Sequence, residues 1–146
     1  RNRYTKILVN RMKLALLSTK SGVGIAAPQV GINRNIIWVQ RFDLPQKPLN
    51  YFLNPVITWR SETLNLGPEG DLSIADFRDQ FYRSKVIQLN YEDLNGKKHT
   101  EIIEGFTAVI IQHEIDHLFG ILISDKIKEQ HTKNFQPIQT FQEIKK

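Results

Sequence analysis

His113-Glu114-Ile115-Asp116-His117 sets two imidazoles four residues apart, so on a helix they stand one turn apart on the same face and can grip one metal ion. The glutamate between them is angled toward the open coordination position. There a carboxylate can take a proton from a metal-acidified water and later deliver it to a leaving nitrogen. The competing reading is a chance pentapeptide on a helix surface, and the neighbouring residues argue against it. Phe106, Val109, Ile110, His113 and His117 share one stripe, and Ala108, Ile111, Ile115 and Leu118 a second. A helix apolar almost all round is normally buried on several sides. Carrying Gln112, His113, Glu114, Asp116 and His117 into a core without partners would cost several kcal/mol, so a metal ion, hydrogen bonds or both must compensate them. Two histidines make half of a tetrahedral site, and spacing alone does not identify a third ligand. His99 and His131 read as surface residues.

The elements around this helix follow from periodicity. Tyr4, Leu8, Met12 and Ala15, with Leu16 beside them, recur at helical spacing until the small residues of 18–24, which predicts an amphipathic opening helix. Short β-like runs follow at Ile36–Val39, Phe52-Leu53 and, after Pro55, Val56–Trp59. Val86–Tyr91 and His99–Ile103 flank Asn95-Gly96, the dipeptide suited to the positive φ angles of a tight hairpin turn. The informative helix, Phe106 to Leu118, is expected to close at Gly120 in a left-handed conformation. The segment after Lys126 is polar, interrupted by Pro137, and reads as a short or frayed helix.

Composition bounds the function. A chain of 146 residues fits one domain over 1–146. Because it begins without Met in what reads as helix, a preceding segment is expected to have been trimmed or left out. There is no cysteine, which excludes disulfides, thiolate ligands and Cys nucleophiles and leaves any metal to N and O donors. No stretch approaches the roughly 20 apolar residues that span a bilayer, so no membrane partner is expected. The default address is cytoplasmic, or organellar if a targeting segment has been removed. The net charge of +5 is unevenly placed: eight basic residues from Arg1 to Arg41 precede the first acid, Asp43. Later basic residues are mixed with acids, and without a binding motif or interleaved aromatics no DNA partner is expected. A basic end touching a polyanion such as RNA is the weaker reading.

The chain also resembles a known family. Gly22-Val23-Gly24-Ile25-Ala26-Ala27-Pro28-Gln29-Val30-Gly31 is similar to the first motif of peptide deformylases, Glu69-Gly70-Asp71-Leu72-Ser73 to the second, and Gln112 to Leu118 to the third. The motifs occur in the family's order, and the resemblance runs from the opening helix to about Lys126. It implies an α+β fold in which small antiparallel sheets surround a central, buried metal-binding helix. It implies a reaction, removal of the N-formyl group from the N-terminal formylmethionine of newly made polypeptides. Carried over by residue, His113 and His117 would bind one divalent ion, iron(II) in cells with zinc or nickel as substitutes. Glu114 would be the general acid and base, Gln29 and the backbone N–H of Leu72 the oxyanion donors, and Gly24 and Ile25 would line the substrate groove through their backbone. Taken alone, the glycines of the first motif read equally as turn formers.

Where the family has its metal-binding cysteine this chain has Asp71. An aspartate can ligate zinc or iron through oxygen at about 2.0–2.2 Å, so the expected metal set is Asp71, His113 and His117; the alternative is a loop aspartate that caps or turns. Ala75-Asp76 stands where the family often has a Pro-Gly turn. Arg78 falls where relatives carry a substrate-contacting arginine, and Arg83 matches another just beyond, with surface pairing to Asp76 or Asp79 as the alternative. Glu69 is a candidate for orienting the loop that carries Asp71, and Asp116 for fixing helix or ligand geometry; both read equally as structural residues. Expected partners are nascent formylmethionyl peptides and, through Lys126, Lys128, Lys133, Lys145 and Lys146 of the tail, the ribosome. The other functional readings are a divergent enzyme hydrolysing another N-acyl amide and a catalytically silent binding protein.

Overall fold

A computed structural model of the protein describes residues 2–19, 22–62, 64–71 and 74–120. Helix α1 spans Asn2–Leu17. Thr5, Leu8, Val9, Met12 and Leu16 form its buried face, the i, i+3, i+4, i+7 spacing of an amphipathic helix. This face is rotated from the predicted stripe, because Tyr4 is 60% exposed. The reason is Arg34, which donates from Nη2 to Thr5 Oγ1 at 2.6 Å and lays its guanidinium over the Tyr4 ring, 5.9 Å from the centroid. The helix ends without a glycine. The Ser18 and Thr19 hydroxyls instead donate to the last-turn carbonyls of Ala15 (2.6 Å) and Leu16 (2.7 Å), groups with no partner inside the helix.

Five antiparallel strands follow in the order β1-β2-β3-β6-β7: Gly24–Ala26, Ile36–Gln40, Leu49–Arg60, Val86–Glu92 and Lys98–Glu104. The two runs read on either side of Pro55 are one strand, β3. Its pairing with β6 shifts register between Leu53 and Val56, and Asn54 takes a left-handed φ of 51°. Pro55 thus sits in a bulge, where its missing N–H breaks no ladder bond. Asn54 N–H donates to Asn35 O at 2.8 Å instead, and the bent strand pairs first with β2 and then with β6. The predicted β6–β7 hairpin is present with a wider turn. Asp93 Oδ1 accepts from the backbone N–H groups of Asn95 (2.8 Å) and Lys97 (3.0 Å), so only Gly96, at φ 80°, carries a positive φ there.

Between β3 and β6 the chain forms a second antiparallel pair, β4 (Leu64–Asp71) and β5 (Ile74–Ser84). No strands were expected here. Helix α2, Phe106–Leu118, covers the predicted range, entered from Gly105 at φ 75° and followed by Gly120 at φ 74°. Phe106 leaves its expected buried stripe: it is exposed and packs on Phe42 at a centroid distance of 5.2 Å.

The antiparallel sheet and its helices make the fold α+β. Two cores flank the sheet. Met12, Leu8, Leu16, Ile25, Ile36 and Trp38 join α1 to one side, where Trp38 Nε1–H also donates to Val9 O at 2.8 Å. Ala108, Ile111 and Ile115 of α2 meet Ala26, Ile37, Val39, Ile87, Leu89 and Ile103 on the other. Strand β1 therefore lies between the helices, Ile25 directed to α1 and Gly24 and Ala26 to α2. Shortening a fully buried side chain such as Met12 to alanine typically costs about 2–5 kcal/mol.

A buried charge cluster holds the segment after β2. Arg41 bonds both Asp43 oxygens (2.9 and 2.8 Å) and Glu101 Oε1 (3.0 Å), and the Tyr91 hydroxyl donates to the other Glu101 oxygen. Asp43 N–H then donates to Thr107 Oγ1 at 3.1 Å, which fixes the start of α2 to this loop.

Candidate active site

The α2 polar residues are placed by two different kinds of partner. Gln112 and Asp116, four residues apart, face the end of β5. Gln112 Nε2 donates to Ser84 O (2.8 Å) and Ala108 O (3.1 Å), while Gln112 Oε1 accepts from Ser84 N–H at 3.2 Å. One turn on, Arg83 Nη1 donates to Asp116 Oδ2 at 2.7 Å. An amide matched to both backbone groups of one residue, and a charge-assisted pair beside it, dock the base of the β4–β5 hairpin on α2 and supply much of the compensation the helix requires. Arg83 therefore pairs with Asp116. Sequence reasoning missed this clamp; the signal for it was the i, i+4 spacing of Gln112 and Asp116 immediately beside the histidine pair.

His113 and His117 project one position further round the helix. Their Nε2 atoms lie 3.1 Å apart, with ring centroids 4.7 Å apart and ring planes at 75°, and both residues are buried. In a tetrahedral zinc site with Zn–N near 2.0–2.1 Å the separation between two nitrogens is about 3.3 Å. The two imidazoles therefore fit two corners of such a site, and as neutral nitrogen donors they suit zinc, iron or nickel.

Glu114 is 3% exposed and lies under β1. A Cβ added to Gly24 would stand 2.7 Å from Glu114 Oε2 and 2.9 Å from Ile110 Cγ2, closer than a Cβ carbon sits to its neighbours in folded proteins. Gly24 is thus required for space in a strand, not for a turn. Gly31, with φ 77°, is the first-motif glycine that serves a turn. Ile25 places its side chain in the α1 core and offers only its backbone to the opposite side. Gln29, in the 3-10 segment Ala27–Val30, accepts the Ala26 N–H with Oε1 at 2.8 Å, so its amide N–H₂ is presented away from that bond.

The structure thus brings Gly24, Gln29, His113, Glu114 and His117 to the contact of β1, the 3-10 segment and α2. Asp71 is the last residue of β4, paired in register with Ile74, a strand-end position and not the loop of the alternative reading. It stands at the tip of the hairpin whose base, at Arg83 and Ser84, meets α2. Arg78 lies within β5. Leu72 and the basic tail at 126–146 lie outside the described residues.

Comparison with known proteins agrees with this arrangement. The family model described as polypeptide deformylase matches residues 2–133. A peptide deformylase of Leptospira biflexa is 40% identical over 114 residues, 73% of this chain and 64% of that protein. One from Synechocystis is 36% identical over 115 residues, 78% of this chain and 62% of that protein. The chain therefore spans a little under two thirds of the length of these relatives. The crystal structure of a class I type b peptide deformylase from Acinetobacter baumannii superposes with a TM-score of 0.79 at 38% identity, over 85% of this chain and 81% of that one. The Thermotoga maritima peptide deformylase gives 0.78 at 32% identity, over 85% and 81% of the two chains. Sequence motifs, helix-borne histidines and the enclosing sheet converge on one assignment: this chain belongs to the polypeptide deformylase family.

Proposed function

We propose that the protein is a metal-dependent amide hydrolase that removes the formyl group from the N-terminal formylmethionine of newly made polypeptides. The observation that carries this reading is the meeting of the His113 and His117 Nε2 atoms, 3.1 Å apart, on the helix whose Glu114 lies against Gly24. In this reading His113, His117 and Asp71 hold one divalent ion, iron(II) in cells with zinc or nickel as substitutes. The ion supplies Lewis acidity, lowering the pKa of water toward neutrality and polarising the formyl oxygen. The role given to Asp71 requires the tip of the β4–β5 hairpin to reach the two imidazoles, and loss of metal from Asp71→Ala tests that directly.

The residues of the chain account for the remaining steps. Strand β1 is the edge of the five-stranded sheet, so an extended peptide can add to it as a further strand, guided by the backbone of Gly24 and Ile25. Arg78 would contact the substrate beyond its reacting end. Gln29, its carbonyl oxygen held by Ala26, directs its amide N–H at the formyl oxygen together with the backbone N–H of Leu72; preorganised donors of this kind contribute several kcal/mol to a tetrahedral transition state. Glu114 takes a proton from the attacking water and passes it to the methionyl nitrogen as the C–N bond breaks. Formate and a free amino terminus result.

The partner is then the nascent chain, in the compartment where formylated chains are made, and the basic tail at 126–146 would face ribosomal RNA. Formate release from a formyl-Met tripeptide, after anaerobic loading with iron(II), nickel or zinc, tests the activity beside Glu114→Ala. Rapid release that depends on Glu114 is the expected result. Metal binding without release would favour another N-acyl amide, and neither would favour a silent binding protein.

A further inference from the structure

The solvent side of α1 carries charge of one sign around an apolar strip. Tyr4, Ile7, Leu14 and Leu17 are 60%, 48%, 69% and 59% exposed. At about 100° per residue, Ile7, Leu14 and Leu17 run along the outermost line of the helix, opposite Leu8, Met12 and Leu16. Lys6 and Lys13 border that line on one side and Arg11 on the other, with Arg3 on the line itself. All four basic residues are exposed, and α1 contains no acid at all. Glu92 and Asp93 line the cleft at Thr5, on the inner side of the helix.

We propose that this face is a docking surface for an anionic lipid bilayer, on which α1 lies parallel to the membrane plane. Charge complementarity selects the occupant. A second copy of the same face would oppose four positive charges to four more, which disfavours self-association. RNA would meet the basic residues but leave three aliphatic side chains without a role, since nucleic-acid surfaces use stacking aromatics and Arg or Lys. An apolar line bordered by Lys and Arg on both sides, with a tyrosine beside it, is the pattern of interfacial helices. No helix among the described residues is long and apolar enough to cross a membrane, so the contact is peripheral.

Sedimentation of the whole chain with equimolar phosphatidylglycerol and phosphatidylcholine vesicles, with phosphatidylcholine alone, and in parallel a labelled-RNA binding assay test this. The expected result is binding to the anionic vesicles only, weakened by salt. Each basic residue near an anionic surface contributes roughly a fivefold factor, so Lys6→Gln with Arg11→Gln should lower partitioning about 25-fold. Leu14→Ser and Leu17→Ser should each lower it as well, with the melting temperature unchanged because both side chains point to solvent. Binding to RNA but not to vesicles overturns the proposal. So does vesicle binding indifferent to Leu14→Ser and Leu17→Ser, or a dimer that Leu14→Ser dissociates in the absence of vesicle binding.

Discussion

Arg83 Nη1 and Asp116 Oδ2 meet at 2.7 Å with side chains only 6% and 16% exposed, joining the base of the β4–β5 hairpin to the helix that bears both histidines. Removing one partner of a buried pair strands the other charge, at about 3–5 kcal/mol. Asp116→Asn is therefore expected to lower unfolding stability by an amount approaching that range in urea titrations. Because the pair also fixes how α2 presents its imidazoles, metal affinity should fall about 10- to 100-fold, read by competition with a chelator. A double change to Arg83→Met and Asp116→Leu should recover stability, since an apolar pair of similar size is often neutral or better.

Gly24→Ala probes the contact between β1 and Glu114. The new methyl would press on Glu114 Oε2 and Ile110 Cγ2, and overpacking of this kind typically costs about 1–3 kcal/mol. The expected result is a lower melting temperature together with a loss of turnover larger than the stability change explains, because the carboxylate proposed to transfer the proton is itself displaced. Full turnover in a variant that folds normally would separate Glu114 from catalysis.

Metal withdrawal should be visible apart from activity. A ligand that binds only the native state at a hundred times its dissociation constant adds about 2.7 kcal/mol, so chelation should lower the thermal midpoint and readdition restore it. His117→Ala should abolish that metal-dependent shift while leaving the fold intact.

The Arg41 cluster predicts the acid limb of stability. The Arg41 hydrogen bond holds Asp43 below the ordinary carboxylate range. For Glu101, burial opposes ionisation, but the Tyr91 hydroxyl and Arg41 outweigh it and the net direction is also down. Groups depressed in the folded state contribute stability above their unfolded values, about 3.9 and 4.3, and lose it as pH falls through their folded values. Urea stability should therefore decline below about pH 4, and Arg41→Gln should both lower the plateau and flatten that decline. Tyr91 is raised, first by burial and then by Glu101. Its contribution is present below about pH 10 and lost as pH rises through the folded value.

The helix of the histidines was legible in sequence because its composition and its motif point the same way: Phe106 to Leu118 is apolar enough to be buried, and the polar residues within it then require partners. The β6–β7 hairpin was legible through Asn95-Gly96. What was not legible depended on contacts distant in sequence. Tyr4 reads as a core residue until Arg34, thirty positions away, is seen to lie across it, and Pro55 reads as a strand break until the bulge at Asn54 accommodates it. Strands β4 and β5 escaped notice because Gly67, Pro68 and Gly70 look like turn signals, and the pairing of Arg83 was not legible because its partner, Asp116, sits on another element. For the candidate site, the sequence singled out the histidines, Glu114 and Gln29 as candidates; the need for Gly24 became physical only when α2 was seen to pass beneath it.

Trp38 and Trp59 stand in opposite environments, the first 5% exposed with its indole N–H bound to Val9 O and the ammonium of Lys13 5.5 Å from its ring, the second 52% exposed on the outer side of β3. These are the two tryptophans of the chain, so its intrinsic fluorescence divides into a shielded, blue-shifted component and a quenchable, red-shifted one. The shielded component belongs to the seam between α1 and the sheet. Lifting α1 would expose it to acrylamide while Trp59 stayed unchanged, which gives the molecule its own optical gauge of that single contact, readable without any label.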